Sequence, residues 1–473
     1  MGRYDVVIVG SGPAGIFAAL ELTRASRPLR TLLLEKGPDL GQRACPSKEG
    51  GVSCRGCHPC SIVSGWGGAG AFSDGKLTLS PEVGGMLDQF LDRQSLEDLI
   101  AYVDRIYLHF GAPPRVYGAA QTQELEEIQR RALAADLKLI PAPIRHLGTG
   151  RTQEVLQRMR RTLLEQGVSI RTRTPAESIL ASGGRVEGVV TAGGETVPAD
   201  YVIVAPGREG SAWLMREAER LGLNTVINPV DIGVRVEVPA TVMEHLTRAT
   251  YEAKLVFYSK TFDDKVRTFC MNPYGEVVKE NLEGLVTVNG HSYADRRTPN
   301  TNFALLVSKT FTEPFRDPIA YGKYVASLAN LLGGGVLVQR LGDLMAGRRS
   351  TWERLEKGLV APTLRDATPG DLSLVFPYRH LTSLIEMLQA LDKVAPGVAS
   401  RHTLLYGVEV KFYSSRLRLT PALETEIQNL FAIGDGAGIT RGLTQASASG
   451  VLAARSILKK MGIGEKRIPA WEQ

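Results

Sequence analysis

The first twenty-two residues constrain the fold most. Tyr4-Asp-Val-Val-Ile-Val-Gly10-Ser-Gly12-Pro13-Ala14-Gly15-Ile-Phe-Ala-Ala-Leu-Glu-Leu reads as an apolar strand, a G-x-G-x-x-G turn and then helical apolar spacing. The three glycines do different things. Gly10 permits the tight turn, Gly12 lets backbone approach a pyrophosphate, and Gly15 lets helix and strand pack closely. The helix that follows offers free N–H groups and a positive dipole end to an anion. A second strand, Thr31-Leu-Leu-Leu-Glu35, ends in a carboxylate about where a ribose hydroxyl is held, with Lys36 next to it. Strand, spacing and acid together predict a dinucleotide site at the head of a doubly wound α/β sheet.

Gly65-Trp-Gly67-Gly68-Ala69-Gly70 matches the same glycine pattern, but a cysteine-rich loop precedes it, so it is read as a decoy fingerprint whose bare backbone presses against a cofactor. With no second complete fingerprint, any NAD(P)H binds without a Rossmann domain of its own.

Near the other end, Asn429-Leu-Phe-Ala-Ile-Gly434-Asp435-Gly-Ala-Gly438-Ile-Thr-Arg441-Gly442-Leu443-Thr444-Gln445 gives a strand, a Gly-Asp turn and a small-residue helix. This resembles the second FAD signature of glutathione-reductase-type flavoproteins. The resemblance implies that Asp435 holds the ribityl and pyrophosphate region and that the Gly442–Gln445 backbone faces the flavin. A helix N-terminus suits the negative charge of a reduced flavin. Between the two signatures, Tyr201-Val-Ile-Val-Ala-Pro-Gly207 is a buried strand with a glycine turn, similar to the middle element of the same superfamily. The expected architecture is a discontinuous Rossmann-like FAD-binding domain from 1–80, 144–223 and 405–473. It carries a helical insertion at 81–143 and an inserted α+β substrate domain at 224–404.

Nearly the whole chain resembles a family of FAD-dependent dehydrogenases distantly like geranylgeranyl reductases. The motifs are Gly68-Ala-Gly-Ala-Phe-Ser-Asp74-Gly-Lys76, Gly233-Val-Arg235-Val-Glu237, Phe269-Cys-Met-Asn-Pro-Tyr-Gly-Glu, Val288-Asn-Gly-His291 and Gly434-Asp-Gly-Ala-Gly. Cys270-Met-Asn272-Pro departs from the Cys-x-Cys-Pro segment expected there. The resemblance implies fold and cofactor but not substrate; the leading reading is hydride transfer between flavin N5 and an unsaturated or carbonyl-containing small molecule. Such a step needs an acid or cation near the flavin; the candidates are Lys76, Arg441, Arg235, His291 and Tyr293, each equally readable as a structural hydrogen-bonding group.

Three of the five cysteines fall within seven residues, and Cys45, Cys54, Cys57 and Cys60 give C-x8-C-x2-C-x2-C. Four thiolates suit a [4Fe–4S] cluster or zinc by count. A cluster relaying electrons to FAD from a ferredoxin-like donor leads, because the segment runs toward the flavin. A flavin-coupled dithiol and inert thiols stay open, and His58 is read as a solvated loop residue.

Net charge is only +6 and aromatics are 7%, without a dense basic patch, which argues against a nucleic-acid partner. An FAD-containing RNA-binding protein and a flavin redox sensor are the rival readings. No apolar run reaches the roughly 20 residues of a membrane span, and the first strand leaves no room for a signal peptide, so a cytoplasmic location is expected. Oligomeric state is not legible.

Overall fold

The computed structural model describes residues 2–45, 57–73, 75–119, 122–282, 284–292, 296–311, 315, 317–411 and 416–464. Two compact units form: 1–116 with 144–226 and 414–473, and 117–143 with 227–413. Residues 81–116 of the segment read as one helical insertion thus belong to the first unit, and 117–143 to the second.

The first unit is organised by a seven-stranded sheet. Its parallel part runs Ser169–Arg171, Thr31–Leu34, Tyr4–Val9, Thr196–Val204 and Leu430–Ala432, so strands from the beginning, middle and end of the sequence lie side by side. These strands are continuous apolar runs because helices cover parallel sheets on both faces; Val6, Val7, Ile8, Leu32, Leu33, Val202, Ile203 and Val204 are all at 0% exposure. The near half of Thr196–Val204 turns instead into an antiparallel meander with Arg185–Thr191 and Ala176–Ser182.

The opening helix Pro13–Leu22 and the closing helix Leu443–Lys460 pack on each other. Gly450 allows the close approach, since a Cβ there would sit 2.1 Å from the Ala14 carbonyl oxygen. Buried Glu21 ties three helices at this crossing. It accepts from Arg24 at 2.9 Å, from Arg455 at 2.7 Å and from the Tyr102 hydroxyl at 2.7 Å.

The second unit has an eight-stranded mixed sheet centred on Val230–Pro239. This strand alternates its side chains with period two. Val230, Ile232, Val234, Val236 and Val238 join a core with Met243, Val325, Leu384 and Leu388. Asp231, Arg235 and Glu237 occupy the opposite face, where the hairpin Glu276–Leu282 and Leu285–His291 lies. The doubly wound fold and the separate α+β unit are as expected. Among the described residues, no helix is long and apolar enough to cross a membrane.

Candidate cofactor site

The parallel strands of the first unit end on one edge, and the turns there build the site. Gly10, at φ +105°, has a Cβ position only 2.1 Å from the Ala205 carbonyl oxygen, while one on Gly15 would meet the Gly10 oxygen at 1.9 Å. A side chain on Gly10 would push its turn off the end of the middle strand, and one on Gly15 would push the helix off the strand before it. Gly12 is different: a Cβ there would meet nothing within 4 Å. It caps the opening helix without a side-chain bond, Pro13 sits in the first turn, and that turn carries no acid. Free N–H groups and open space above them are what a pyrophosphate requires.

The cysteine-adjacent glycine loop comes to the same place. The Gly67 N–H donates to the Ser11 carbonyl at 2.9 Å, and a Cβ on Gly68 would lie 3.0 Å from the Gly12 Cα. A Cβ on Gly70 would meet Leu443 at 2.8 Å and Pro13 at 3.5 Å. Gly68–Phe72, which includes Ala69, is a short 3-10 helix entered through Gly67 at φ +85°.

Glu35 is buried and joins three turns through its two oxygens. Oε2 accepts from the Ser11 N–H at 2.9 Å and hydroxyl at 2.8 Å, and Oε1 accepts from the N–H groups of Gly37 at 2.8 Å and Gly65 at 2.9 Å. The carboxylate read as a ribose acceptor is therefore also the knot that fixes the fingerprint turn, the end of the second strand and the glycine loop.

Arg43 does not stand out in the sequence, yet it shapes the loop. Nε donates to Ser61 O at 2.8 Å, Nη1 to Trp66 O at 2.7 Å and Gly68 O at 2.9 Å, and Nη2 to Ile62 O at 2.8 Å. Burial lowers its pKa to about 10, against the opposing pull of Glu35 and Cys60. The only sequence signal is an arginine just before the cysteine-rich loop; its carbonyl partners lie 18 to 25 residues away.

The second signature forms the other side. Gly434, at φ +75°, turns the chain, and Asp435 Oδ1 accepts from Thr440 Oγ1 at 2.7 Å and the Gly442 N–H at 3.4 Å. Burial raises the Asp435 pKa, against Arg208 and these hydrogen bonds. Gly442 caps the closing helix without a side-chain bond, and a Cβ there would meet nothing within 4 Å. The segment Pro81–Met86, read only as the start of an insertion, is fastened to this helix start. Gln445 Nε2 donates to Pro81 O at 3.3 Å and Val83 O at 3.2 Å, the Arg441 N–H to Gly84 O at 2.7 Å, and the Met86 N–H to Ile439 O at 2.8 Å.

FAD fits this arrangement. Two helices present uncapped N-termini beneath open space, and buried Thr444 Oγ1 and Gln445 Oε1 have no partner within the protein. Buried polar atoms are nearly always satisfied, so this pair at a helix start points to a polar ligand or ordered water.

The other candidates are dispersed. Half-buried Lys76 begins a strand paired with Ile144–His146 that packs against the closing helix, and Arg441 directly precedes that helix's cap. Gly207, at φ +65°, turns the chain after the middle strand. Arg235 and His291 lie in the second unit, His291 at the end of the hairpin opposite Glu276. Arg235 does not fit a catalytic role: it is 0% exposed, bonded to Asn302 Oδ1 at 2.8 Å and Cys270 O at 2.6 Å, and paired with fully buried Glu409 at 3.3 Å. Its neighbour Glu237 is also sealed in; burial raises its pKa against hydrogen bonds from Thr363, Tyr406 and Asn300. Tyr293 and Cys54 lie outside the described residues. Cys45, Cys57 and Cys60 are free thiols, and among the described residues no three His, Cys, Asp or Glu side chains come together to hold a metal. The described thiols do not form the ligand set that the spacing suggested.

Residues 5–302 match the family model described as FAD dependent oxidoreductase, and residues 229–412 match FAD-dependent protein, C-terminal domain-like. An uncharacterised protein of Clostridium beijerinckii is 27% identical over 482 residues, covering 97% of this chain and 81% of that protein. Solved structures with a similar course include L-proline dehydrogenase from P. horikoshii, with TM-score 0.40, 13% identity and coverage of 99% of this chain and 95% of that one. Another is 3-ketosteroid-delta4-(5alpha)-dehydrogenase from Rhodococcus jostii RHA1, with TM-score 0.42, 15% identity and coverage of 96% of each chain.

Proposed function

Because this chain belongs to the FAD dependent oxidoreductase family, we propose that it is a dehydrogenase or reductase passing a hydride between flavin N5 and an unsaturated or carbonyl-containing small organic molecule. When bound, FAD supplies the two-electron carrier for that exchange. The observation that carries the reading is the convergence of the two uncapped helix starts, at Gly12 and Gly442, with the glycine loop at Gly68 and Gly70 packed between them.

In this reading Gly12, Pro13 and the first turn of the opening helix hold the pyrophosphate, and Asp435 holds the ribityl side. The N–H groups following Gly442 face the flavin edge, where positive dipole favours negative charge. Reduction of a carbonyl or activated double bond adds the hydride to carbon and a proton to the atom that takes up the electron pair. Lys76 Nζ is assigned the proton, and the Arg441 guanidinium is assigned to an anionic or carbonyl oxygen of the substrate. The reductive direction draws its electrons from NAD(P)H or a ferredoxin-like donor. The cysteine cluster has no part in this reading.

The test is anaerobic mixing of the FAD-loaded protein with panels of reduced substrates, and of the reduced protein with enones and oxo compounds. Bleaching or return of the yellow absorbance with some member of either panel is expected, and Lys76→Met and Arg441→Met should keep FAD and slow that step. Unchanged turnover in both variants would remove these two residues from the assignment.

A further inference from the structure

The turn after the middle strand reaches in two directions. Arg208 points to Asp435, 3.9 Å away, on the side of the last strand. Glu209 pairs instead with Lys36, which follows the second strand. Thr31–Leu34 and Thr196–Val204 are the two neighbours of Tyr4–Val9, parallel to it and ending on the same edge. Lys36 and Glu209 therefore start from strands two spacings apart, roughly 10 Å. Their side chains meet across the end of the central strand, where that strand enters the Gly10 turn.

The glycine loop joins the same crossing. The Ser64 hydroxyl donates to Glu209 Oε2 at 3.4 Å, and the next residue, Gly65, donates its N–H to Glu35. Lys36, Glu209, Ser64, Gly65 and Glu35 thus form a closed circuit that joins the ends of the second and middle strands to the glycine loop. Lys36 and Glu209 are about a third exposed, at 31% and 36%. Solvent reaches the pair.

We propose that the Lys36–Glu209 ion pair is a strap across the mouth of the dinucleotide crevice, holding the ends of the second and middle strands together over the bound cofactor and limiting how fast it leaves. This rests on the FAD reading above and adds Glu209, a residue of no evident role in the sequence. Lys36 then acts through Glu209 as well as by its place beside Glu35, and the strap is electrostatic, so it weakens with salt.

The experiment measures release of FAD from the loaded full-length protein, followed by recovery of free-flavin fluorescence, in wild type, Lys36→Met, Glu209→Gln and the double variant. For a partly exposed pair, release about twofold to fivefold faster is expected in each single variant at low salt. The double variant should be no faster than the singles, and raising the salt should bring wild type up to the variants' rate. Release from Glu209→Gln at the wild-type rate in low salt would overturn the strap. So would acceleration by Lys36→Met alone, since Lys36 would then act on the dinucleotide without Glu209. A protein that takes up no FAD would overturn the cofactor reading itself, and is told apart by the absence of any flavin to release.

Discussion

Gly68 rests on Gly12: a Cβ on the first would lie 3.0 Å from the Cα of the second, at a φ of +58° that side chains rarely adopt. The glycine-rich loop is thus the partner surface of the fingerprint turn. In Gly68→Ala the left-handed conformation costs roughly 1–2 kcal/mol and the methyl pushes the loop off Gly12. A lower melting temperature and FAD binding weakened by at least about tenfold are expected from a melt and a flavin titration.

Arg43 is the second support of that loop. Removing it leaves four buried or part-buried carbonyl contacts without their donor, at about 1–3 kcal/mol for each acceptor left unsatisfied. Arg43→Met should lose several degrees of melting temperature, and bound FAD should protect less than in wild type. Arg43→Lys should behave almost as badly, because one ammonium cannot reproduce the spread of a guanidinium.

Arg235 distinguishes a structural from a catalytic reading. With Arg235 and Glu409 both at 0% exposure, Arg235→Met leaves the buried carboxylate with only Lys411, at 3.3 Å, and takes the donor from Asn302 Oδ1 and Cys270 O; it should cost about 2–4 kcal/mol of stability. Chemical denaturation checks this. A variant of normal stability and impaired turnover would return Arg235 to the catalytic candidates.

Asp343 sets an acid limb for the second unit. Burial alone raises its pKa, but hydrogen bonds from Arg340, Ser350 and Arg348 outweigh burial and hold it at about 2, below its ordinary 3.8. A depressed carboxylate pKa stabilises the fold above the ordinary value and loses that stability as pH falls toward about 2. The linked contribution is about 2 kcal/mol at neutral pH. Asp343→Asn should remove it there and flatten the stability profile between pH 4 and pH 2; an unaltered slope would contradict the assignment.

How far the sequence carried depends on range. Gly10, Gly12, Gly15, Gly434 and Gly442 were legible because each serves its own turn, and strand, glycine and helix follow within a few residues. The alternation from Ile232 to Val238 reads as a half-apolar strand, but does not say that Arg235 and Glu237 face a sealed polar layer, since a hairpin some 50 residues later lies on that face. Arg235 became a candidate through the motif Gly233-Val-Arg235-Val-Glu237, which does not show that the side chain is sealed. Arg43, Ser11 with Glu35, and the fastening of Pro81–Met86 to the closing helix depend on partners that no local spacing encodes. Residues 81–143 carry helical patterns, and spacing does not say which sheet a helix covers, nor that Leu137–Ile140 is a strand of the second unit's sheet, so their division between the units was not legible.

If segments from the beginning, middle and end of the chain assemble one FAD site, flavin-stripped, full-length protein should take the cofactor back. Titration with FAD, followed by absorbance and by calorimetry, decides this. Saturation at one FAD per chain and a shifted flavin spectrum are predicted, together with much weaker binding of FMN, which lacks the adenosine half. A folded protein that stays colourless and takes up no FAD would contradict a shared site.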